Sequence, residues 1–157
     1  MNYVIDDAAV IPANVEPIRQ EPVSPASSRV WGQHLILDMG GCNEHISRKD
    51  SIRAFVAELV EAIDMVAYGE PVIEHFATHS EAAAGYTLVQ LIETSAITAH
   101  FSDHNRDAYL DVFSCKAFDD NKVLQTVEKY FAPESIYTLS LEREAKHPVQ
   151  VPFTQLK

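Results

Sequence analysis

The sequence predicts an α+β fold, a two-layer sandwich with helices on one face of a largely antiparallel sheet in the order β-α-β-β-β-α-β. Two stretches, 47–66 and 119–131, carry apolar residues at spacings of three and four. Short runs rich in Val, Ile, Thr, Tyr and Phe stand before, between and after them. The chain has 157 residues and is 46% hydrophobic, which fits one domain with a continuous core.

The elements follow in order. Pro12, Pro17, Pro22 and Pro25, with Ser24, Ser27 and Ser28, fill a start that has no period of two or 3.6. Residues 1–30 therefore read as a flexible arm ahead of a domain spanning 31–157. Gln33 to Asp38 form a β-prone run that stops at Gly40 and Gly41. Ser47 is the expected N-cap of a long helix whose apolar face is Ile52, Phe55, Val56, Leu59, Val60, Ile63 and Val66, opposite Arg53, Glu58 and Glu61. Strand-like runs follow at 71–77, 85–94, 95–101 and 108–115. Between Tyr109 and Phe113, Tyr, Asp and Phe alternate with Leu and Val, as in a sheet with both faces covered. Val123, Leu124, Val127, Tyr130 and Phe131 define a second helix, and 135–141 a last strand. With both helices on one face, the other needs a partner.

Charge and composition exclude several functions. A formal net charge of -11 lacks the clustered Lys and Arg that release counterions from nucleic acid or bind an anionic membrane. The longest apolar runs, such as Tyr86 to Ile92, fall far short of a bilayer span, and the first residues are acidic where a secretory signal is basic and then apolar. A cytoplasmic protein is expected, with Cys42 and Cys115 as thiols. The five glycines stand in no GxGxxG or GxxxxGK[ST] setting, so no phosphate cradle is predicted. His75 and His79, like His100 and His104, are four apart; on strand or loop that spacing separates them by about 13 Å, so no metal site is expected. Glu61, Asp64 and Glu70 read as a solvated helix end.

Taken singly, Ser95 reads as a turn residue, His100 as a core or surface imidazole, and Cys115 as a buried thiol. Together they carry more. Glu93-Thr94-Ser95-Ala96-Ile97-Thr98-Ala99-His100, followed fifteen residues after His100 by Asp111-Val112-Phe113-Ser114-Cys115, resembles the centre of the bacterial S-adenosylmethionine decarboxylases. Their pattern is Glu-Ser-His-x-x-x-His and then Asp-x-Phe-x-Cys, and the spacing from Ser95 through His100 to Cys115 matches without a gap. His34-Leu35 with Asp38 and Cys42 resembles the family's first strand, and the likeness covers about 31–143.

The resemblance implies a precursor that cuts itself between Thr94 and Ser95, leaving a covalent pyruvoyl group derived from Ser95 as its cofactor, with no external one. Decarboxylation of an α-amino acid needs an electron sink, and a pyruvoyl ketone joined to the substrate amine as a Schiff base supplies it. By the same resemblance, Thr94, Ser95, Thr87 and His100 take part in processing. His100 moves a proton as the ester collapses, and Cys115 returns a proton to the decarboxylated carbon. Phe76, Asp103 and Ile97 are the candidates for substrate contact. The expected product is decarboxylated S-adenosylmethionine for polyamine (spermidine) biosynthesis, made by a homodimer of cleaved protomers whose sheets face each other.

Three departures bear on specificity. Thr94 stands where the family has Glu before the serine, and Ala96 where it has His after it. Phe101-Ser102-Asp103-His104 replaces Thr-Trp-Pro-Glu, whose carboxylate holds the substrate's ribose hydroxyls. Two alternatives therefore stand beside the main reading: a pyruvoyl decarboxylase of another amino acid, such as ornithine or arginine, and a non-catalytic regulatory homologue.

Overall fold

The computed structural model describes residues 30–145 and the backbone of a short strand at 154–155. The elements are β1 (Gly32–Gly40), α1 (Lys49–Ala62), β2 (Val72–Phe76), β3 (Gly85–Ile92), β4 (Ser95–Ser102), β5 (Asp107–Ser114), α2 (Asp120–Phe131), β6 (Ser135–Arg143) and β7 (Thr154–Gln155). This is the predicted α+β class, with four strands where the predicted order has three between the helices, and with β7 added. The arm expected over 1–30 lies, except for Val30, outside the described residues.

The strands run β2-β3-β4-β5-β1-β6-β7, and every neighbouring pair is antiparallel. Alternation sorts their side chains. Leu35, Leu37 and Met39 of β1, Ile97, Ala99 and Phe101 of β4, and Ala108, Leu110 and Val112 of β5 are buried beneath the helices. Tyr109, Asp111 and Phe113 alternate with the β5 set and point the other way. Among the described residues, no helix covers that second face.

Both helices bury one stripe. α1 contributes Ile52, Phe55, Val56, Leu59 and Val60, and α2 contributes Val123, Thr126, Val127 and Phe131. Phe131 is the keystone, with ring centroids 4.6 Å from Phe55 and 5.4 Å from Phe101, so it ties both helices to β4. Asp119 caps α2 by accepting from the Asn121 N–H at 2.9 Å. Phe131→Ala removes a fully buried ring where three elements meet, and is expected to lower unfolding free energy by about 3–5 kcal/mol in urea denaturation.

The start of α1 differs from expectation. Asn43, not Ser47, is the capping side chain; it accepts from the His45 N–H and opens a 3-10 turn at Glu44–Ser47. Ser47 ends that turn, and Arg48 holds the N-cap position of α1 without a capping side-chain bond. The helix also stops earlier than its apolar period suggests. Asp64 has φ 56°, and Lys116 Nζ bonds both its carbonyl and its carboxylate, so the chain turns away and Val66 is 56% exposed. The expected solvated acids here are partly engaged: Asp64 with Lys116 and Glu70 with Arg53.

Gly85 admits no side chain, since a Cβ would lie 1.7 Å from the Phe101 carbonyl oxygen. This close approach lets β3 start tight against β4.

Candidate active site

The β3–β4 hairpin turns on two residues, Glu93 and Thr94, and Ser95 opens β4 opposite Ile92. The turn is held from outside, where the Glu93 N–H donates to the Val66 carbonyl at 3.0 Å. On its inner side lies β5, with Ser95 opposite Ser114. The next amide, Cys115 N–H, donates to the Thr94 carbonyl at 3.0 Å. Held between these contacts, Ser95 has φ 153°, a sparsely populated value for a residue with a Cβ that costs on the order of 1–3 kcal/mol. Strain and a polarised carbonyl thus meet at one peptide bond, Thr94–Ser95. The Cys115 side chain is exposed beside it, not a buried thiol.

His100 is not beside Ser95. Five residues separate them along one extended strand, roughly 16 Å at a rise of about 3.3 Å per residue. His100 stands on the face away from the helices, between Thr87 and Tyr109 in the register. Its Nδ1 and the Thr87 hydroxyl oxygen are 3.2 Å apart. Thr87 and His100 therefore form one group, and Ser95 and Cys115 another, towards the opposite end of the sheet.

Two of the substrate candidates, Phe76 and Asp103, lie towards the Thr87–His100 end of the sheet. Phe76 is 56% exposed, and its alternation with buried Ile73 sets it on the helix-free face. Asp103 follows β4 in the turn at the end of the sheet away from Ser95, where its Oδ2 and His75 Nε2 lie 2.6 Å apart. Asp103 Oδ1 is buried without a hydrogen-bond partner. Ile97 is a correction: it is fully buried on the helix side of β4 with Ala99 and Phe101, so its side chain is core and no substrate reaches it. His104, standing where the resemblance has a carboxylate, lies 3.3 Å from Glu81 Oε1.

Other groups were less visible in the sequence. His34 Nε2 lies 2.8 Å from Asp111 Oδ1, and Arg143 Nη1 donates to His34 Nδ1 at 3.0 Å, linking β5, β1 and β6 across the open face. Ser114 is fully buried, and its hydroxyl donates to Thr94 Oγ1 at 2.9 Å. The period of two through Ala108, Leu110 and Val112 was the available signal, since it assigns Ser114 to the inner face. Cys42 is fully buried; burial first, then the Asp107 charge, pushes its thiol up to about 11, so it stays protonated and unreactive at neutral pH. Among the described residues, no three His, Cys, Asp or Glu side chains converge as a metal cluster, and no helix is long and apolar enough to cross a membrane.

Comparison with known proteins bears on this arrangement. Residues 33–144 match the sequence model of the S-adenosylmethionine decarboxylase family. The S-adenosylmethionine decarboxylase proenzymes of Methanococcus maripaludis strains C5 and C6 are each 27% identical to this chain over 114 residues, covering 71% of it and 88% of the relative. The crystal structure of adenosylmethionine decarboxylase from Aquifex aeolicus VF5 superposes with a TM-score of 0.61 at 21% identity, over 76% of this chain and 98% of that one. This last likeness is one of fold.

Proposed function

Since the chain belongs to the S-adenosylmethionine decarboxylase family, we propose that it is a precursor that cuts itself at Thr94–Ser95 and then decarboxylates S-adenosylmethionine with a pyruvoyl group derived from Ser95. The observation that carries this is the Thr94 carbonyl, which accepts from the Cys115 N–H immediately before a serine at φ 153°. Such a group needs a serine hydroxyl next to a carbonyl that can bear negative charge, and the residues present fit that need.

In the cutting reaction the Ser95 Oγ attacks the Thr94 carbonyl carbon, and the Cys115 N–H stabilises the oxyanion that forms. The C–N bond breaks, its nitrogen takes the hydroxyl proton, and an ester joins Thr94 to Ser95. Loss of the Ser95 Cα proton then breaks the Cβ–O bond, leaving a Thr94 carboxylate and a dehydroalanine. Water replaces its nitrogen, which departs as ammonia.

His100 suits the removal of that Cα proton, and the Thr87 hydroxyl at 3.2 Å orients its ring. Within one protomer it is too far from Ser95, so the reading requires a second copy. The helix-free face exposes Val72, Phe76, Leu91, Tyr109 and Tyr137, apolar side chains that a second copy would cover. Two copies packed through these faces, about a two-fold axis lying across the strands, bring the Thr87–His100 end of one sheet over the Ser95–Cys115 end of the other. Each of two equal sites then draws on both chains.

When bound, the pyruvoyl group supplies the sink for the electrons released as carbon dioxide leaves. Cys115, exposed beside residue 95, returns a proton to the carbon that lost it. Phe76 offers an aromatic face to the adenine, and Asp103, steadied by His75, offers a carboxylate to the ribose hydroxyls. The product is the aminopropyl donor for spermidine, and the enzyme works in the cytoplasm without an external cofactor.

The test is release of carbon dioxide from carboxyl-labelled S-adenosylmethionine, ornithine and arginine, each offered alone. Release from S-adenosylmethionine is expected. Release from ornithine or arginine instead would move the chain to a different substrate, and release from none, with the chain uncut, would make it a regulatory relative.

A further inference from the structure

We propose that Ser114 and the Thr94 hydroxyl form a clamp that positions the scissile carbonyl and so sets the rate at which the chain cuts itself. This rests on the self-cleavage reading above.

Ser114, Gln90 and Thr126 are buried polar residues of the described chain. Thr126 bonds within its own helix, to the Lys122 carbonyl, and Gln90 bonds backbone carbonyls, but Ser114 spends its hydroxyl on the side chain of Thr94. Its bonds run between a donor on one side and a thioether acceptor on the other. The Lys116 backbone N–H can only donate, and does so to Ser114 Oγ at 3.0 Å. The Met65 thioether can only accept, and takes the Thr94 hydroxyl proton at 3.1 Å. Between these ends, Ser114 donates to Thr94 at 2.9 Å and also reaches the Met65 sulfur at 3.7 Å. Lys116, Ser114, Thr94 and Met65 thus form one connected hydrogen-bond cluster.

This cluster lies beside a second contact from the same strand end, the Cys115 N–H on the Thr94 carbonyl at 3.0 Å. Ser114, the last residue of β5, and the next residue, Cys115, therefore grip Thr94 twice, at its hydroxyl and at its carbonyl. Gripped at two points, Thr94 cannot rotate its carbonyl away, and the misfit is taken up by the next torsion, Ser95 φ at 153°. Met65 is anchored in turn: its N–H bonds the Val60 carbonyl at 2.9 Å, and the Lys116 ammonium holds Asp64. The clamp is specific to a hydroxyl at 94. An ionised carboxylate there can accept from Ser114 but has no proton to give Met65.

Ser114 and Thr94 are positioning residues here, since neither supplies the nucleophile or the oxyanion donor. The experiment follows cutting of newly synthesised full-length chain by intact mass over time. Thr94→Val keeps the branched shape without the hydroxyl, and Thr94→Ser keeps the hydroxyl without the methyl. Thr94→Val and Ser114→Ala are expected to slow cutting roughly ten- to a hundredfold, while Thr94→Ser restores it. Hydroxylamine, which cuts an ester but not an amide, should not speed the slow variants, because the impaired step precedes the ester. Melting of each variant in a Ser95→Ala background, where no chain is cut, separates lost stability from lost positioning. Wild-type rates in Thr94→Val and Ser114→Ala overturn the clamp, as does a Thr94→Ser chain as slow as Thr94→Val. A wild-type chain that never cuts overturns the self-cleavage reading itself.

Discussion

Ser95→Ala is expected to leave a single chain of 17.5 kDa that releases no carbon dioxide from S-adenosylmethionine. The change deletes one oxygen, and with it the only atom of residue 95 able to attack the Thr94 carbonyl. The fold should survive, because Ser95 is half-buried at a strand end and its pairing with Ile92 and Ser114 is made by the backbone. Circular dichroism and melting should therefore resemble those of the uncut precursor while activity falls to the limit of detection. Activity retained by a Ser95→Ala chain would mean that the electron sink comes from elsewhere.

The second large effect is a recovery. Ser95→Ala and His100→Ala, each inactive alone, are expected to restore one another when co-expressed. Of randomly paired dimers about half are mixed, and each mixed dimer has one complete site, so about a quarter of wild-type activity should return. In that site Ser95 belongs to the His100→Ala chain and His100 to the Ser95→Ala chain. The cut fragments should accordingly derive from the His100→Ala chain alone, which tags of different mass make visible. No recovery, with mixed dimers present, would mean that both residues act within one protomer, against the roughly 16 Å that extended β4 sets between them.

Most of the architecture could be read from the chain, since Leu110 and Val112 alternating with Tyr109 and Asp111 mark a strand, and Phe55, Val56 and Leu59 mark a helix face. Boundaries were harder. Ser47 has the chemistry of a cap, but Asn43 captures the nearer amide and spends the next residues on a 3-10 turn. Val66 keeps the helical period, but Asp64 adopts a left-handed backbone that Lys116 holds, a contact between residues 52 apart.

The site was legible as a list of residues more than as an arrangement. Ser95, His100 and Cys115 stand at telling intervals, yet intervals do not say whether residues meet in one chain or between two. The parity of β4 did contain part of the answer. Ile97, Ala99 and Phe101 are all apolar, which assigns Ile97 to the core and His100 to the opposite face. Ser114 was hidden for a different reason: its bond to Thr94 spans 20 positions, and only the register of β4 against β5 brings them together.

The most direct measurement is the intact mass of freshly purified wild-type protein, before and after borohydride reduction in the presence of S-adenosylmethionine. Two fragments, 1–94 and 95–157, are expected, with the second starting in a pyruvoyl group and gaining mass on reduction with the substrate. A single uncut chain that gains nothing would contradict both the self-cleavage and the chemistry built on it.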